Sequence, residues 1–165
     1  MSALNLDSTI SESHLQGKLS PVNSYNEWDR LEEVIVGRLE GATIPDYHPI
    51  VTFNIPPAAA KMLRFFGGHR YPRILTKPAQ KDLDGFIHIL ESEGVVVRRP
   101  NTMDFSVRYR TPHWTSKGYY VTCPRDGFLV IGDEIIETPM SWHSRYFEAH
   151  AYRSLFKGNY SPGWI

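Results

Sequence analysis

A single cysteine, Cys123, occurs in the 165 residues, which excludes an internal disulfide and any multi-thiolate metal site. Such a chain suits a reducing compartment, and a cytoplasmic location is the expectation. No apolar run approaches the roughly 20 residues that span a bilayer, so no membrane partner is expected. An excess of charge of either sign is missing too: Lys plus Arg and Asp plus Glu both number 18. Without a global field, a nucleic-acid partner would need a local basic stripe, and only short pairs such as Arg98-Arg99 occur. The first 21 residues have Asp7 and Glu12, no basic residue before Lys18, and no apolar core. Neither a secretory signal nor a transit peptide reads that way. Residues 1–21 are expected to be a mobile extension and residues 22–165 one domain.

What is present is an ordinary globular composition, 41% apolar and 22% charged. Residues 31–37 (LEEVIVG) hold the β-branched run Val34-Ile35-Val36, expected as a strand buried on both faces. Four prolines between 45 and 57 predict a loop, and residues 58–66 a short helix. The spacing of Leu83, Phe86, Ile87 and Leu90 predicts a helix over 77–93, with Thr76 as cap, Pro78 in its first turn and Gly94 as its left-handed stop. Val95-Val96-Val97 follows at once as a second strand, and helix running directly into β-branched strand is an α/β signature. FLVI and IIET around Gly132-Asp133 predict a hairpin. A last helix over 144–157 would bury Phe147, Ala151 and Leu155. Only about three helices serve these strands, so the sheet edges lack cover.

Asp126 lies in Thr122-Cys123-Pro124-Arg125-Asp126-Gly127, just ahead of the FLVI strand. A carboxylate at a loop–strand junction can accept two parallel N–H bonds from a planar guanidinium. It can equally be a solvated turn residue or the partner of Arg125. Cys123 as a nucleophile would need a positioned base, and His113, ten residues upstream, is the nearest histidine that could fold back. A small core hydrophobe is the commoner role for a free cysteine. The seven histidines show no metal spacing: His143 and His150 are two turns apart, and there is no H-E-x-x-H. Arg98-Arg99, Arg108, Arg110 and Lys117 interleave with Tyr109, Trp114, Tyr119 and Tyr120, a pattern that suits either single-stranded nucleic acid or an amphipathic rim. Neutral total charge favours the rim. In Glu27-Trp28-Asp29 the indole is expected to lie as a lid on the sheet, its acids solvated.

The order of five segments says more than any of these residues. SYNEWDRLEEVIVG (24–37), GGHRYP (67–72), GVVVRRP (94–100), TCPRDGFLVIGDEIIETPM (122–140) and SRYFEAHAYRS (144–154) together resemble the glycine amidinotransferase family, which includes inosamine-phosphate and cyanobacterial alkaloid-pathway members. The likeness runs from about residue 22 to 157. It implies an α/β fold: a pseudo-fivefold propeller of ββαβ units, present here only in its N-terminal part. It further implies a cysteine that takes the amidino group from L-arginine, releases ornithine and passes the group to an amine, with a His and a second Asp assisting and no cofactor or metal. Asp126 matches the family's guanidinium-contacting carboxylate.

The nucleophilic cysteine, the His and the second Asp of the family lie in segments beyond this sequence, and Cys123 does not match the nucleophile. His143 stands where relatives commonly carry Arg, and the likeness ends after residue 157. A fragment, a truncated gene product or half of a split enzyme, inactive alone, is therefore expected. It would be completed by a C-terminal half or within a homo-oligomer, with L-arginine and an amine acceptor as partners. The alternative is a non-catalytic remnant that interacts with a full-length homologue.

Overall fold

The computed structural model describes residues 22–53 and 55–157, so the predicted N-terminal extension and the ending NYSPGWI lie outside the described residues. In chain order come strand β1 (Glu33–Ile35), helices α1 (Pro49–Thr52), α2 (Pro57–Phe66) and α3 (Arg73–Ser92), then strands β2 (Val96–Arg98), β3 (Arg108–Arg110) and β4 (Thr115–Lys117). A short turn α4 (Pro124–Gly127) leads into β5 (Phe128–Ile131) and β6 (Glu134–Glu137), followed by two 3-10 turns (His143–Arg145 and Glu148–Ala151) and α5 (Arg153–Phe156).

The strands pair in twos: β1 with β2 in parallel, β3 with β4 and β5 with β6 antiparallel. Helix α3 joins the parallel strands, the crossover connection that parallel pairing demands. The α/β expectation therefore stands, although no closed sheet forms among the described residues. Neither strand of that pair is buried on both faces as expected. Val36 and Val95, just outside the strands, are the buried members of the two runs, while Val96 is 48% exposed. A two-stranded ribbon leaves one side of each strand without a neighbour, and β-branched residues there stay wet.

Helix α3 begins four residues before the predicted start. Pro72 precedes it, and Pro78 falls inside, where its missing N–H leaves the Ile74 carbonyl without its helical donor. Ile74 is 79% exposed, at the solvent-facing start of the helix. Leu83, Ile87 and Leu90 face the body of the protein, but Phe86 is more than half exposed and leaves the predicted stripe. Gly94 stops the helix in the left-handed region (φ 80°), and its neighbour Val95 donates back to the Leu90 carbonyl at 3.0 Å. The proline-rich stretch contains α1 within its loop. Trp28 is 87% exposed, so the lid expectation fails; Asn26 and Asp29 bond to each other beside it instead.

The core gathers Phe105, Val121, Ala151, Tyr152 and Phe156, with Ile35, Phe128 and Ile135 against it. Burying Phe105 and Phe156 contributes roughly 2–3 kcal/mol each. Tyr152 carries a hydroxyl into this core and donates it to the Val121 carbonyl at 3.0 Å, which satisfies the polar atom that burial would otherwise strand. The predicted long helix over 144–157 is broken into two 3-10 turns and α5. Ser144, Glu148, Tyr152 and Phe156 are buried together with Ala151, and Phe147 and Leu155 stay half-buried. Arg145 closes the first 3-10 turn and Glu148 opens the second, three residues on, where the two side chains meet at 2.9 Å.

Candidate functional site

The hairpin fixes the site. Gly132 takes the positive φ (60°) and Asp133 does not, the pattern of a turn with glycine at its first central position. In-register pairing from Phe128↔Glu137 to Ile131↔Glu134 then carries Thr138 past the end of the ladder, beside α4. The Thr138 N–H donates to the Gly127 carbonyl at 2.9 Å and its hydroxyl to the Asp126 carbonyl at 3.0 Å. The backbone of Asp126 is thus stitched to the far strand while its side chain stays half exposed.

The partner of Asp126 is Arg145, not Arg125. Nη1 of Arg145 donates to Asp126 Oδ2 at 2.9 Å, while its Nη2 and Nε donate to Glu148 at 2.9–3.1 Å. Arg145 and Glu148 are 14% and 5% exposed, so the ion pair lies inside the protein and Asp126 at its rim. The guanidinium also lies 5.6 Å from the centre of the Tyr120 ring. Burial pushes the Glu148 carboxyl up, to about 7, against the pull of Arg145 and of the Tyr120 N–H. The two carboxylates hold the Arg145 guanidinium charged, well above its ordinary range. Asp126 Oδ1 accepts no hydrogen bond among the described residues, so one oxygen of this half-exposed carboxylate stays open.

Cys123 caps α4, is exposed, and has its Sγ 3.6 Å from the Thr122 hydroxyl. It lines a cavity of about 590 Å³ together with Glu148 and His150. His113 is not there; it is exposed and donates its N–H to Thr111. Burial and nearby Arg153 hold His150 below the usual imidazole range, which keeps it neutral. No hydrogen bond joins Cys123 to a histidine among the described residues, so the thiol has no positioned base there.

Part of the basic–aromatic stretch is spent within the fold. Arg98 pairs with Glu33 at 2.9 Å, Arg99 donates to the Gly37 carbonyl, Lys117 to the Gly68 carbonyl, and Tyr109 stacks on Phe147 at 4.8 Å. Arg145 and Glu148 were not singled out by sequence reasoning, although R-x-x-E inside SRYFEAH carries the three-residue spacing that joins them.

An α/β protein with a half-exposed carboxylate already bound to a guanidinium is the class that fold and site define. Comparison with known proteins makes it more particular. The chain is 46% identical over 146 residues to the mitochondrial glycine amidinotransferase of Gallus gallus, covering 88% of this chain and 35% of that protein. Likewise it is 46% identical over 144 residues to the L-arginine:L-lysine amidinotransferase of Pseudomonas savastanoi pv. phaseolicola, covering 87% and 40%. Among solved structures, SxtG, an amidinotransferase from the Microseira wollei saxitoxin pathway, superposes with a TM-score of 0.77 at 50% identity, over 84% of this chain and 40% of the other. The Streptomyces griseus inosamine-phosphate amidinotransferase STRB1 does so at 0.74 and 39%. No family model matches. The chain belongs to the amidinotransferase family and spans 35–40% of the length of these relatives. No described helix is long and apolar enough to cross a membrane.

Proposed function

We propose that this chain supplies the guanidinium-docking carboxylate, Asp126, of an enzyme that moves the amidino group of L-arginine onto an amine and releases ornithine. The observation that carries the reading is the Arg145–Asp126 contact: this carboxylate binds a guanidinium here, at 2.9 Å, and keeps its other oxygen open. Arginine would dock through Oδ1 alone, a single contact rather than the two-oxygen fork, because Oδ2 is held by Arg145. Glu148 anchors Arg145, and Arg145 fixes the rotamer of Asp126, so the acceptor oxygen is oriented before substrate arrives. One charge-assisted contact contributes roughly 1.5–3 kcal/mol, whereas even millimolar binding needs about 4 kcal/mol. The remaining contacts, and the thiol that forms a C–S bond to the guanidino carbon as the C–N bond to ornithine breaks, are assigned to sequence outside these 165 residues. The pseudo-fivefold propeller is assigned to that completed protein too.

The relatives' names carry different acceptors, glycine, L-lysine and inosamine phosphate, so the acceptor is assigned only as a primary amine. Joining this chain to the remaining portion of a relative, in one frame or by mixing, should yield ornithine from arginine plus an amine. Absence of ornithine with every amine tried would sink the assignment. In the active assembly Asp126→Asn should raise the arginine KM by about tenfold, the loss of one charged contact, with the melting curve unchanged.

A second reading is favoured by the surface of α3. Leu75, Phe86 and Ile89 are 51–61% exposed along one side of this helix, with Val96 of the open β1–β2 pair 48% exposed. On this reading the chain docks on a full-length homologue without catalysing anything. Co-purification with such a homologue supports it, and a monodisperse monomer in its presence removes it.

A further inference from the structure

A second cavity, of about 380 Å³, opens on the other side of the His143–Arg145 turn and belongs to neither the Asp126 cluster nor the proposed reaction. Its walls come from four parts of the fold: Asp46 and His48 ahead of α1, Arg64 on α2, Arg108 on β3, and His143 with buried Ser144 on the 3-10 turn. The histidine wall is held by ring contacts. His143 stacks on Trp114 with ring centres 4.3 Å apart, and His48 meets His143 edge-on at 5.0 Å. His48 Nδ1 accepts the Ile50 N–H at 3.2 Å, which places the proton of the neutral ring on Nε2, as a donor.

Charge decides what the cavity takes. Asp46 is the one carboxylate in its lining, and its Oδ2 is engaged by the Lys117 N–H at 2.9 Å. Arg64 lies 5.2 Å from the centre of the Tyr47 ring, which holds the guanidinium plane without neutralising it. Among the described residues neither Arg64 nor Arg108 forms an ion pair. Two guanidinium groups on separate elements against the single Asp46 carboxylate leave the lining net positive, and with an imidazole donor beside them they fit a tetrahedral dianion better than a carboxylate, which offers one charge in one plane.

We propose that this cavity is a binding site for a small phosphate-type oxyanion, held by Arg64 and Arg108 with His48 donating from the third side. The room left over accommodates a compact organic group, so a phosphate monoester is the class of ligand. The full chain is titrated with inorganic phosphate and, separately, with acetate at low ionic strength, and amide shifts are followed by two-dimensional NMR. Phosphate should saturate one site, move the amides of His48, Arg64, Arg108 and Ser144, and bind more tightly than acetate. Arg64→Gln and Arg108→Gln should each weaken phosphate by about tenfold, one charge-assisted contact apiece. Both side chains are exposed and outside ion pairs, so either variant should fold, and melting curves check this. Arg73→Gln, on the outer start of α3, should leave binding unchanged. Non-saturating shifts, equal affinity for acetate, or equal weakening by Arg73→Gln would overturn the site.

Discussion

Arg145 stands between a buried acid and an exposed one, and removing it affects the two unequally. Arg145→Ala leaves Glu148, 5% exposed, without its counter-ion. Stability should fall, measured by urea denaturation, because Glu148 loses its guanidinium hydrogen bonds and must take up a proton to stay buried. Glu148 sets a pH dependence of its own. Its folded carboxyl is raised from an ordinary 4.5 to about 7, so the folded state holds the proton more tightly than the unfolded one. Its favourable contribution is complete below about 4.5 and is lost as pH rises through about 7. The melting temperature of the wild type, relative to Glu148→Gln, should therefore decline across that window, and a flat difference would refute it. Asp126 stood out in the sequence because Pro-Arg-Asp before a strand sits in a recognisable block, and its role as a docking carboxylate is the proposal made above. Its clamp was not, because Arg145 and Glu148 fall in a segment whose apolar spacing suggests a plain amphipathic helix. Only the 3-10 path shows that the polar pair, not Phe147, turns inward.

Elements were readable where local chemistry decides them. Gly94 and Gly132 mark the ends of α3 and of β5 as their left-handed backbone requires, and the β-branched runs mark the parallel strands. Partnership was harder to read: Glu33 and Arg98 meet across 65 positions, and nothing local announces such a pairing. Close backbone approach is equally silent in the sequence. Gly118 lies against Phe105, whose Cβ would be 2.9 Å from any methyl added there. Since Phe105 is 1% exposed and cannot yield, Gly118→Ala should cost about 1–3 kcal/mol in urea titration. An unchanged midpoint would mean that β4 and the Phe105 loop are loosely joined.

For the molecule as a whole, the described residues form three two-stranded sheets and leave an outward-facing stripe on α3, the surface on which the proposed docking rests. Sequence reasoning foresaw the uncovered edges from too few helices, but it placed Phe86 in the core. A stripe that satisfies helical periodicity cannot tell a helix's inner face from a second, outer one. The double change Phe86→Glu, Ile89→Glu should shift the chain's own stability by no more than about 0.5 kcal/mol, since both side chains are more than half exposed. In the mixing experiment it should abolish ornithine release. Full release would show that α3 faces solvent in the assembly.

The Arg145–Asp126 contact also governs how this protein can be unfolded in the laboratory. Guanidinium chloride is a molar solution of the kind of cation that Asp126 accepts from Arg145, so it should compete for the half-exposed Oδ2 as well as solvate the core. Its denaturation slope should then depart from the roughly twofold ratio to urea seen for proteins in general. Two-dimensional NMR of the Asp126 and Arg145 amides, titrated with the same salt below the denaturing range, would show whether that carboxylate takes up a free guanidinium.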